Sequence, residues 1–299
     1  MTQAEARAQA QVLWDCHCQL GEGTVWNAAD ESIYFVDIKG REVLALTPAT
    51  GRQRRWPVPN QVGWLVPRRA GGWLAGFDQG VVALTLHEGG GTTVEWLHRL
   101  HDAVSPMRLN DAKADTKGRL WFGSMNDIDT SAGEGVFYRM TGATPPMQVD
   151  SGYGVTNGPT FSADGRTLFH TDSAAATIYA FDVSEAGELS NKRAWCRFQP
   201  GEGYPDGMTT DAEGQVWVAH WGGARVTQRD ASGTVVRTIE VGAPNVTNAA
   251  FGGPRFNDLF ITTARHGLDA AALAAAPLSG ALFVLRDAGR GVAAERFDG

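Results

Sequence analysis

The chain has 299 residues, of which 43% are hydrophobic, and its 33 acidic and 26 basic residues give a net charge of −7. No basic run or stripe is present, so nucleic acid is not an expected partner. No segment approaches about 18 consecutive apolar residues, and the N-terminus does not have the pattern of a signal peptide, so no membrane association is expected. We expect a cytoplasmic protein that is a monomer or a weak homo-oligomer.

Three cysteines, Cys16, Cys18 and Cys196, do not follow the spacing of a zinc site. Cys16 and Cys18 would lie on the same side of a strand, but a separation of two residues is awkward for a disulfide. Reduced thiols are therefore expected.

A strand-like phrase recurs six times along the chain, as IYFVD, WLAGF, LWFGS, LFHTD, VWVAH and LFITT. Its aromatic residues follow one another at intervals of 39 to 48 residues: Tyr34, Trp73, Trp121, Phe169, Trp217 and Phe260. Repeats of about 40 to 50 residues that contain short strands are typical of β-propeller blades. The three tryptophans among these aromatics are expected to pack between blades.

The third repeat predicts how one blade is built. RLNDAKAD and RLWFGSM flank a turn at Thr116-Lys117-Gly118, with glycine where a hairpin turn needs a positive φ. Asp164-Gly165 and Glu213-Gly214 stand at the same place in the next two repeats, and a second hairpin follows, for example over 178–183 and 193–198. Four antiparallel strands in six units predict an all-β fold, a six-bladed β-propeller.

This propeller is expected to occupy residues 1–299 as a single domain. The opening phrase QVLWDCH would supply the strand that is missing from the last unit and so close the ring. LDAAALAAA, residues 268–276, predicts a short helical insertion.

Oxygen-bearing side chains precede five of the six aromatics by 11 or 12 residues: Glu22, Asn110, Asn157, Asp206 and Asn248. In the second repeat the same step reaches Val62 and Gly63, which bring no oxygen. Equivalent positions in a radial repeat face the same axis, so a ring of oxygen donors around one central point is predicted. Each Asn-Gly or Asp-Gly alone would be ordinary turn chemistry, but the shared position in the repeat favours a site.

Two carboxylates and an amide that face one point suit a divalent cation with open coordination positions. Oxygen donors favour calcium, magnesium or manganese, and the lack of thiolate and imidazole argues against structural zinc. Without a cation, Glu22 and Asp206 would repel each other and one would be driven to protonate. Asp111 is expected to cap a turn rather than contact a substrate, and Asn248 is open between a structural and a site role.

Several longer phrases, in order along nearly the whole chain, carry a resemblance to a known family: LGEGTVW, RLNDAKAD, LWFGSM, TNGPTFSADGRTLFHTD, YPDGM and LFITTAR. Together they resemble the family of regucalcin (senescence marker protein 30), gluconolactonase and related sugar lactonases. LFITTAR and AHWGG look closest to bacterial aldonolactonases.

The resemblance implies one axial divalent metal ion, with calcium, manganese, zinc and iron(II) as candidates. It implies that Glu22, Asn157 and Asp206 are the metal ligands. Arg108 and Asn110 match residues that hold the hydroxyls and carbonyl of the sugar.

One departure from the family pattern follows the GSM phrase. Some relatives place a substrate-binding glutamate a few residues later, whereas this chain reads Asn126-Asp127-Ile128-Asp129. Asn126 is the candidate substrate contact, and which member of the run faces the sugar stays open.

The leading hypothesis is metal-assisted hydrolysis of a small-molecule sugar lactone, such as xylono-, arabinono- or gluconolactone, with Asp206 as the catalytic residue that orients or deprotonates water. A second hypothesis is an aryl-ester or organophosphate hydrolase. It would be favoured by a wide apolar rim, for which the candidates are Trp64, Phe77, Met125, Tyr153 and Trp221. A third is a non-catalytic propeller for calcium handling or protein binding, which would leave Arg108 and Asn110 without a role.

Overall fold

Six sheets, built mainly from antiparallel strands, surround a central channel. They are seen in a computed structural model, which describes residues 6–299. The predicted all-β, six-bladed architecture is confirmed. The domain expected over 1–299 also includes residues 1–5, which lie outside the described residues.

The strands are numbered in chain order. Two N-terminal strands, β1 (Ala6–Gln9) and β2 (Gln11–Trp14), come first. Blade 1 contains β3 (Gly21–Asn27), β4 (Ser32–Asp37), β5 (Glu42–Thr47) and β6 (Arg52–Pro57). Blade 2 contains β7 (Val62–Pro67), β8 (Trp73–Phe77), β9 (Gly80–Leu86) and β10 (Thr92–Arg99). Blade 3 contains β11 (Met107–Ala114), β12 (Leu120–Asn126), β13 (Gly135–Met140) and β14 (Met147–Tyr153).

The second half of the chain continues the pattern. Blade 4 contains β15 (Thr156–Phe161), β16 (Thr167–Asp172), β17 (Thr177–Val183) and β18 (Leu189–Arg197). Blade 5 contains β19 (Tyr204–Thr210), β20 (Val216–Trp221), β21 (Arg225–Arg229) and β22 (Val235–Glu240). Blade 6 contains β23 (Asn245–Gly252), β24 (Asp258–Ala264) and β25 (Leu282–Leu285).

Blade 6 takes its outermost strand from the other end of the chain. β2 pairs antiparallel with β25, so the N-terminal segment joins the last blade to the first. β1 extends the outer edge of blade 5, where it runs parallel to β22. This pairing places strands from both ends of the chain in one blade and so closes the ring.

The predicted helix lies in the connection after β24. It is α1 (Ala270–Ala275), shorter than the sequence pattern suggested, and Asp269 caps its N-terminus by accepting a hydrogen bond from the Ala272 N–H at 2.8 Å. Across residues 6–299, no helix has the length and apolar character needed to cross a membrane.

The six repeated phrases form the second strand of each blade, between the innermost and third strands. Trp121 and Trp217 are fully buried, and their indole N–H groups donate to Asp115 and Asp211, each at 2.8 Å. The same two aspartates accept backbone N–H bonds inside the preceding turns, so each one joins a turn to the packed tryptophan of the next strand. Trp73 is 7% exposed, and all three tryptophans therefore pack as expected.

The C-terminal segment fastens the ring a second time. After β25 the Gly291 N–H donates to the Phe256 carbonyl of blade 6 at 2.7 Å. Phe297 then exchanges backbone hydrogen bonds with Pro67 and Arg69 of blade 2, both at 2.9 Å. Its ring is 1% exposed within the core shared by blades 2 and 3, so the segment spans from blade 6 to that core.

Phe297→Ala should lower the free energy of unfolding by about 3–5 kcal/mol, because it empties a fully buried aromatic site and releases the end of this segment. Urea titration followed by tryptophan fluorescence measures the change. Arg296→Ala, at the exposed neighbouring position, is the matched control and should shift it by less than about 0.5 kcal/mol. Equal effects of the two substitutions would contradict an anchoring role for Phe297.

His170 of β16 is a buried neutral side chain between blades 3 and 4. Its ring stacks on Phe137 with 3.8 Å between centroids and meets Tyr153 edge-on at 4.7 Å. Neither ring nitrogen has a hydrogen-bond partner among residues 6–299. Burial lowers the pKa of His170 from 6.5 to about 3.

This depressed pKa predicts an acid-sensitive contribution to stability. Below pH 6.5 the unfolded chain protonates His170 while the folded protein does not, so stability falls as pH drops from 6.5 toward about 3. The slope from this residue is at most about 1.4 kcal/mol per pH unit. His170→Leu should remove that slope in urea titrations between pH 4 and 7, even if the variant is less stable overall. Parallel curves for the two proteins would contradict the assignment.

Candidate active site

The innermost strands of the six blades line the channel and share one irregularity. Each contacts the innermost strand of the next blade, and β23 contacts β3 to complete the ring. Each also breaks register with its second strand near its own start, at 22–25, 62–64, 109–112, 157–160, 205–208 and 246–248. An extra residue of this kind interrupts the alternation of a strand and re-aims its side chains.

All five predicted oxygen donors lie at these register breaks and are 4% to 6% exposed: Glu22, Asn110, Asn157, Asp206 and Asn248. Because every blade begins with its inner strand, the breaks lie at the same end of the channel, which we call the upper end.

Glycines beside the donors permit this crowding. A Cβ atom on Gly207 would lie 2.3 Å from Nδ2 of Asn248. Gly158 has a φ of +31°, and a Cβ there would lie 2.7 Å from the Met208 nitrogen. In blade 2, a Cβ on Gly63 would lie 2.5 Å from the Leu109 carbonyl oxygen, so this position packs against the neighbouring strand instead of offering a donor.

Glu22 and Asp206 are neighbouring buried carboxyl groups. Burial, and then the charge of Asp111, raises the pKa of Glu22 from 4.5 to about 8. Burial, followed by the charge of Glu22, raises the pKa of Asp206 well above its usual range. Asp206 Oδ1 accepts no hydrogen bond from any described residue. The pair therefore holds a proton, or a cation, rather than two free charges.

Asp111 is a third buried carboxyl group of the site, and sequence reasoning gave it only a capping role. It does cap, because it accepts hydrogen bonds from the Ala112 N–H at 2.7 Å and the Gly158 N–H at 2.8 Å. It also raises the pKa values of both Glu22 and Asp206. Lys113, whose ammonium group donates to the Met208 carbonyl at 2.9 Å, partly balances its charge.

A continuous hydrogen-bond network joins the predicted sugar contacts to a predicted metal ligand. Arg108 Nη1 donates to Asn110 Oδ1. Asn110 Nδ2 donates to Asn157 Oδ1 at 2.9 Å and to the Thr156 carbonyl at 2.6 Å. Asn157 Nδ2 in turn donates to Ser173 Oγ at 2.9 Å. Residues from blades 3 and 4 therefore act as one oriented polar unit.

After the GSM phrase, the structure places Asp127 rather than Asn126 against this unit. Asp127 accepts a hydrogen bond from Arg108 Nε at 2.7 Å and pairs with Lys39 of blade 1. The Oδ1 atom of Asn126 accepts hydrogen bonds from the backbone N–H groups of Ile128 and Asp129, at 2.9 and 2.8 Å. These bonds shape the loop. A direct sugar contact by Asn126 stays a prediction. In the sequence, a role for Asp127 is indicated only by its position in the same run as Asn126.

The donor set at the upper end fits a divalent cation. It consists of two carboxyl groups and one amide oxygen, all hard ligands, and one carboxyl oxygen has no partner among the described residues. Within residues 6–299, no group of three or more His, Cys, Asp and Glu side chains is arranged to hold a metal ion. With three protein ligands, the predicted set would leave coordination positions for water or substrate.

A cavity of about 340 Å³ occupies the opposite, lower end of the channel. The last residues of the inner strands line it, including Leu65, Thr160 and Phe251, and residues 292–295 of the C-terminal segment border it. A separate void of about 20 Å³ beside Asp111, Lys113 and Asn248 has room for about one water. The carboxyl pair thus lies at the end of the channel away from the large cavity.

Residues 20–265 match the family model described as the SMP-30/Gluconolactonase/LRE-like region. The chain belongs to this family. Regucalcin of Danio rerio is 32% identical over 274 residues, which cover 89% of this chain and 90% of that protein. The pentonolactonase XacC of Haloferax volcanii is 33% identical over 253 residues, or 84% of this chain and 83% of that protein.

A crystal structure of regucalcin from Agrobacterium tumefaciens, described as a calcium-binding protein, matches with a TM-score of 0.92 at 25% identity over 99% of both chains. The resemblance drawn from the sequence phrases is confirmed.

The raised pKa of Glu22 predicts how cation-free protein responds to pH. Between pH 4.5 and about 8 the unfolded chain loses the Glu22 proton while the folded protein keeps it. Stability of chelator-treated protein should therefore fall as pH rises through this window, by at most about 1.4 kcal/mol per unit from this group. Urea titrations at several pH values measure it.

Glu22→Gln should reduce this loss of stability with rising pH, since the amide does not titrate. Glu188→Gln, on an exposed turn, is the control and should leave the wild-type slope in place. A Glu22→Gln curve with the wild-type slope would contradict a buried, proton-holding Glu22.

Proposed function

We propose that the protein is a metal-dependent lactonase that hydrolyses a sugar lactone, of the aldonolactone type such as xylono-, arabinono- or gluconolactone, to the aldonic acid. The observation that carries this proposal is the hydrogen-bond network from Arg108 through Asn110 to Asn157, at the same end of the channel as the buried carboxyl pair. It combines donors suited to sugar oxygens with a set suited to a cation. Relatedness to a pentonolactonase over most of the chain supports the same substrate class.

Glu22, Asn157 and Asp206 would hold one divalent cation in this proposal. When bound, such an ion supplies Lewis-acid polarisation of the lactone carbonyl and stabilises the oxyanion that forms from it. Calcium, manganese, zinc and iron(II) are the candidates. The all-oxygen donor set favours calcium and manganese, and the related regucalcin structure is described as that of a calcium-binding protein.

Asp206 is the residue proposed to orient the attacking water and accept its proton, through the Oδ1 atom that has no hydrogen-bond partner in the described residues. The water oxygen bonds to the carbonyl carbon, and the ring C–O bond then breaks. The ring oxygen takes up a proton and leaves as a hydroxyl group. One water is consumed, and one carboxylic acid and one alcohol are formed on the same molecule.

Arg108 is proposed to hold the sugar ring. Its guanidinium is fixed at two points, because Nε donates to Asp127 and Nη1 donates to Asn110. A guanidinium has five N–H donors in a rigid plane, so a group fixed in this way offers Nη2 to substrate oxygens in one orientation. The ion pair between Asp127 and Lys39 steadies the arrangement from the side of blade 1.

The two alternative functions fit the structure less well. Trp64, Phe77, Met125 and Tyr153 are each at most 4% exposed, so they do not form the apolar rim that an aryl-ester hydrolase would favour. Trp221 packs partly buried against the core of blades 1 and 2. A non-catalytic propeller would leave the oriented Arg108 and Asn110 side chains without a role.

The direct test is release of acid from a panel of aldonolactones, followed with a pH indicator. Chelator-treated protein is assayed alone and after addition of calcium, manganese, zinc or iron(II). Cation-dependent hydrolysis well above the spontaneous rate supports the proposal and identifies sugar and ion. If folded protein releases no acid above the spontaneous rate from any lactone of the panel with any of the ions, the proposal is overturned.

Asp206→Asn should lower kcat/KM by about 10²-fold or more, because the amide cannot accept the proton of water and binds a cation less well. Asp164→Asn is the matched control. It makes the same change at an exposed Asp-Gly turn and should retain wild-type kcat/KM. Full activity of Asp206→Asn would contradict the assigned mechanism.

Arg108→Ala should lower kcat/KM by about tenfold or more, with most of the change in KM. Asp127→Asn should have a smaller effect of the same kind, since the arginine stays but loses its anchor. If Asp127 acts through Arg108, the double variant should be no worse than Arg108→Ala alone. Additive losses would contradict this coupling, and Asp129→Asn, exposed in the same loop, serves as the control.

A further inference from the structure

Two thiols lie side by side where the ring of blades closes. Cys16 and Cys18 stand in the segment between β2 and β3, and their sulfur atoms are 3.6 Å apart. Both residues are buried, at 4% and 1% exposure. Cys196 is elsewhere, in β18 of blade 4, with its sulfur 3.2 Å from Arg229 Nη1. The proposed hydrolysis makes no use of any of these groups.

The residue between the two cysteines brings them together. Alternate residues of an extended strand stand about 6.6 Å apart along the chain, which keeps their side chains separate. His17 instead has a φ of +57°, in the left-handed region that residues other than glycine seldom adopt. The chain turns at this residue, and the flanking thiols come into contact on the buried side.

Hydrogen bonds from both neighbouring blades hold the turn in place. The Cys18 N–H donates to the Gly280 carbonyl of blade 6 at 2.9 Å, and the Cys16 thiol donates to the same oxygen at 3.1 Å. From blade 1, Arg55 Nη2 donates to the Cys16 carbonyl at 2.8 Å. These contacts hold the two sulfur atoms next to each other where blades 6 and 1 meet.

The two thiols also differ in chemistry. The hydrogen bond from the Cys18 thiol lowers the pKa of Cys16, whereas the same interaction, with burial, raises the pKa of Cys18. Because the thiolate is the nucleophile in thiol chemistry, Cys16 is the member of the pair that reacts first.

We propose that Cys16 and Cys18 form an oxidative modification site, which hydroperoxides convert to an intramolecular disulfide. The Cys16 thiolate attacks one oxygen of hydrogen peroxide and becomes a sulfenic acid, while the O–O bond breaks and the other oxygen leaves as hydroxide, which is protonated to water. An alkyl hydroperoxide would release its alcohol in place of this water. The sulfur of Cys18 then attacks the Cys16 sulfur, the S–S bond forms and the sulfenic oxygen leaves as a second water. The two thiols give up two electrons, which reduce the peroxide.

The bridge would act as a chemical modification rather than a structural staple. It encloses only three residues, and the constraint that a disulfide places on an unfolded chain is small for so short a loop. Its formation is therefore expected to be reversible by a dithiol reductant and to leave the blades in place.

The test is peptide mapping of full-length protein before and after hydrogen peroxide. Each sample is denatured, alkylated with iodoacetamide, digested and analysed by mass spectrometry. Reduced protein should carry the alkyl group on Cys16 and Cys18. Oxidised protein should yield a peptide that contains both residues, without alkyl groups and lighter by two hydrogen atoms, and dithiothreitol should restore alkylation.

Two variants make the outcome specific. In Cys16→Ser, Cys18 should stay alkylatable after peroxide or become a sulfur oxyacid, with no internal bridge. In Cys196→Ser, the bridge should form as in wild type. The proposal is overturned if both thiols of the wild type remain alkylatable after peroxide, if they end only as sulfinic or sulfonic acids, or if the disulfide involves Cys196 or a second chain. The peptide map of the wild-type protein tests the proposal even if Cys16→Ser does not fold.

Discussion

The upper end of the channel is organised around an unfavourable contact, the burial of Glu22 beside Asp206. Desolvation raises the pKa of both groups, and the charge of Glu22 raises the pKa of Asp206 further. Asp111 brings a third carboxyl group to the same region. A protein core accepts such a cluster only if a rigid frame holds it and if a proton or cation balances the charge. The rest of the structure supplies that rigid frame. In the proposed function, the bound cation balances the charge of the carboxyl groups.

The frame comes from repetition. Six inner strands pack in a ring, and each carries a register break at the same height, so side chains of different blades converge on one point. Glycines at Gly158 and Gly207 let the strands approach where a Cβ would collide. β2 and Phe297 fasten the chain ends to distant blades, so the converging side chains cannot separate unless the ring opens.

At the upper end of the channel, hydrogen bonds and ion pairs between polar side chains fix their orientations. Arg108 lies between Asn110, which leads inward to Asn157, and Asp127, which leads outward to Lys39. Each side chain is fixed by a neighbour from another part of the chain, which limits the rotamers available before a ligand arrives. Under the proposed function, these preorganised donors stand beside the carboxyl groups and the amide that would hold the cation. Membership of the SMP-30/gluconolactonase/LRE-like family agrees with this arrangement.

The sequence by itself determined the periodic part of the protein. The recurring aromatic strand, the glycine turns and the shared position of Glu22, Asn157 and Asp206 are local patterns, and a radial repeat converts equal positions into convergent ones. The pattern predicted the sixfold all-β ring and placed the donors at equivalent positions of its inner strands. It even marked the exception at Gly63, where no donor is present.

Only the tertiary structure decided the features that depend on contacts between distant segments. Asn126 and Asp127 are adjacent in sequence, and loop hydrogen bonds on one and Arg108 on the other give them different roles. Asp111 faces the carboxyl pair because a register break interrupts strand alternation, which no residue pattern announces. Cys16 and Cys18 touch because His17 adopts a left-handed conformation between two blades. Arg108 directs Asp127, and Gly280 and Arg55 hold the turn that contains the two thiols. These partners are distant along the chain, and a repeat pattern carries no information about them.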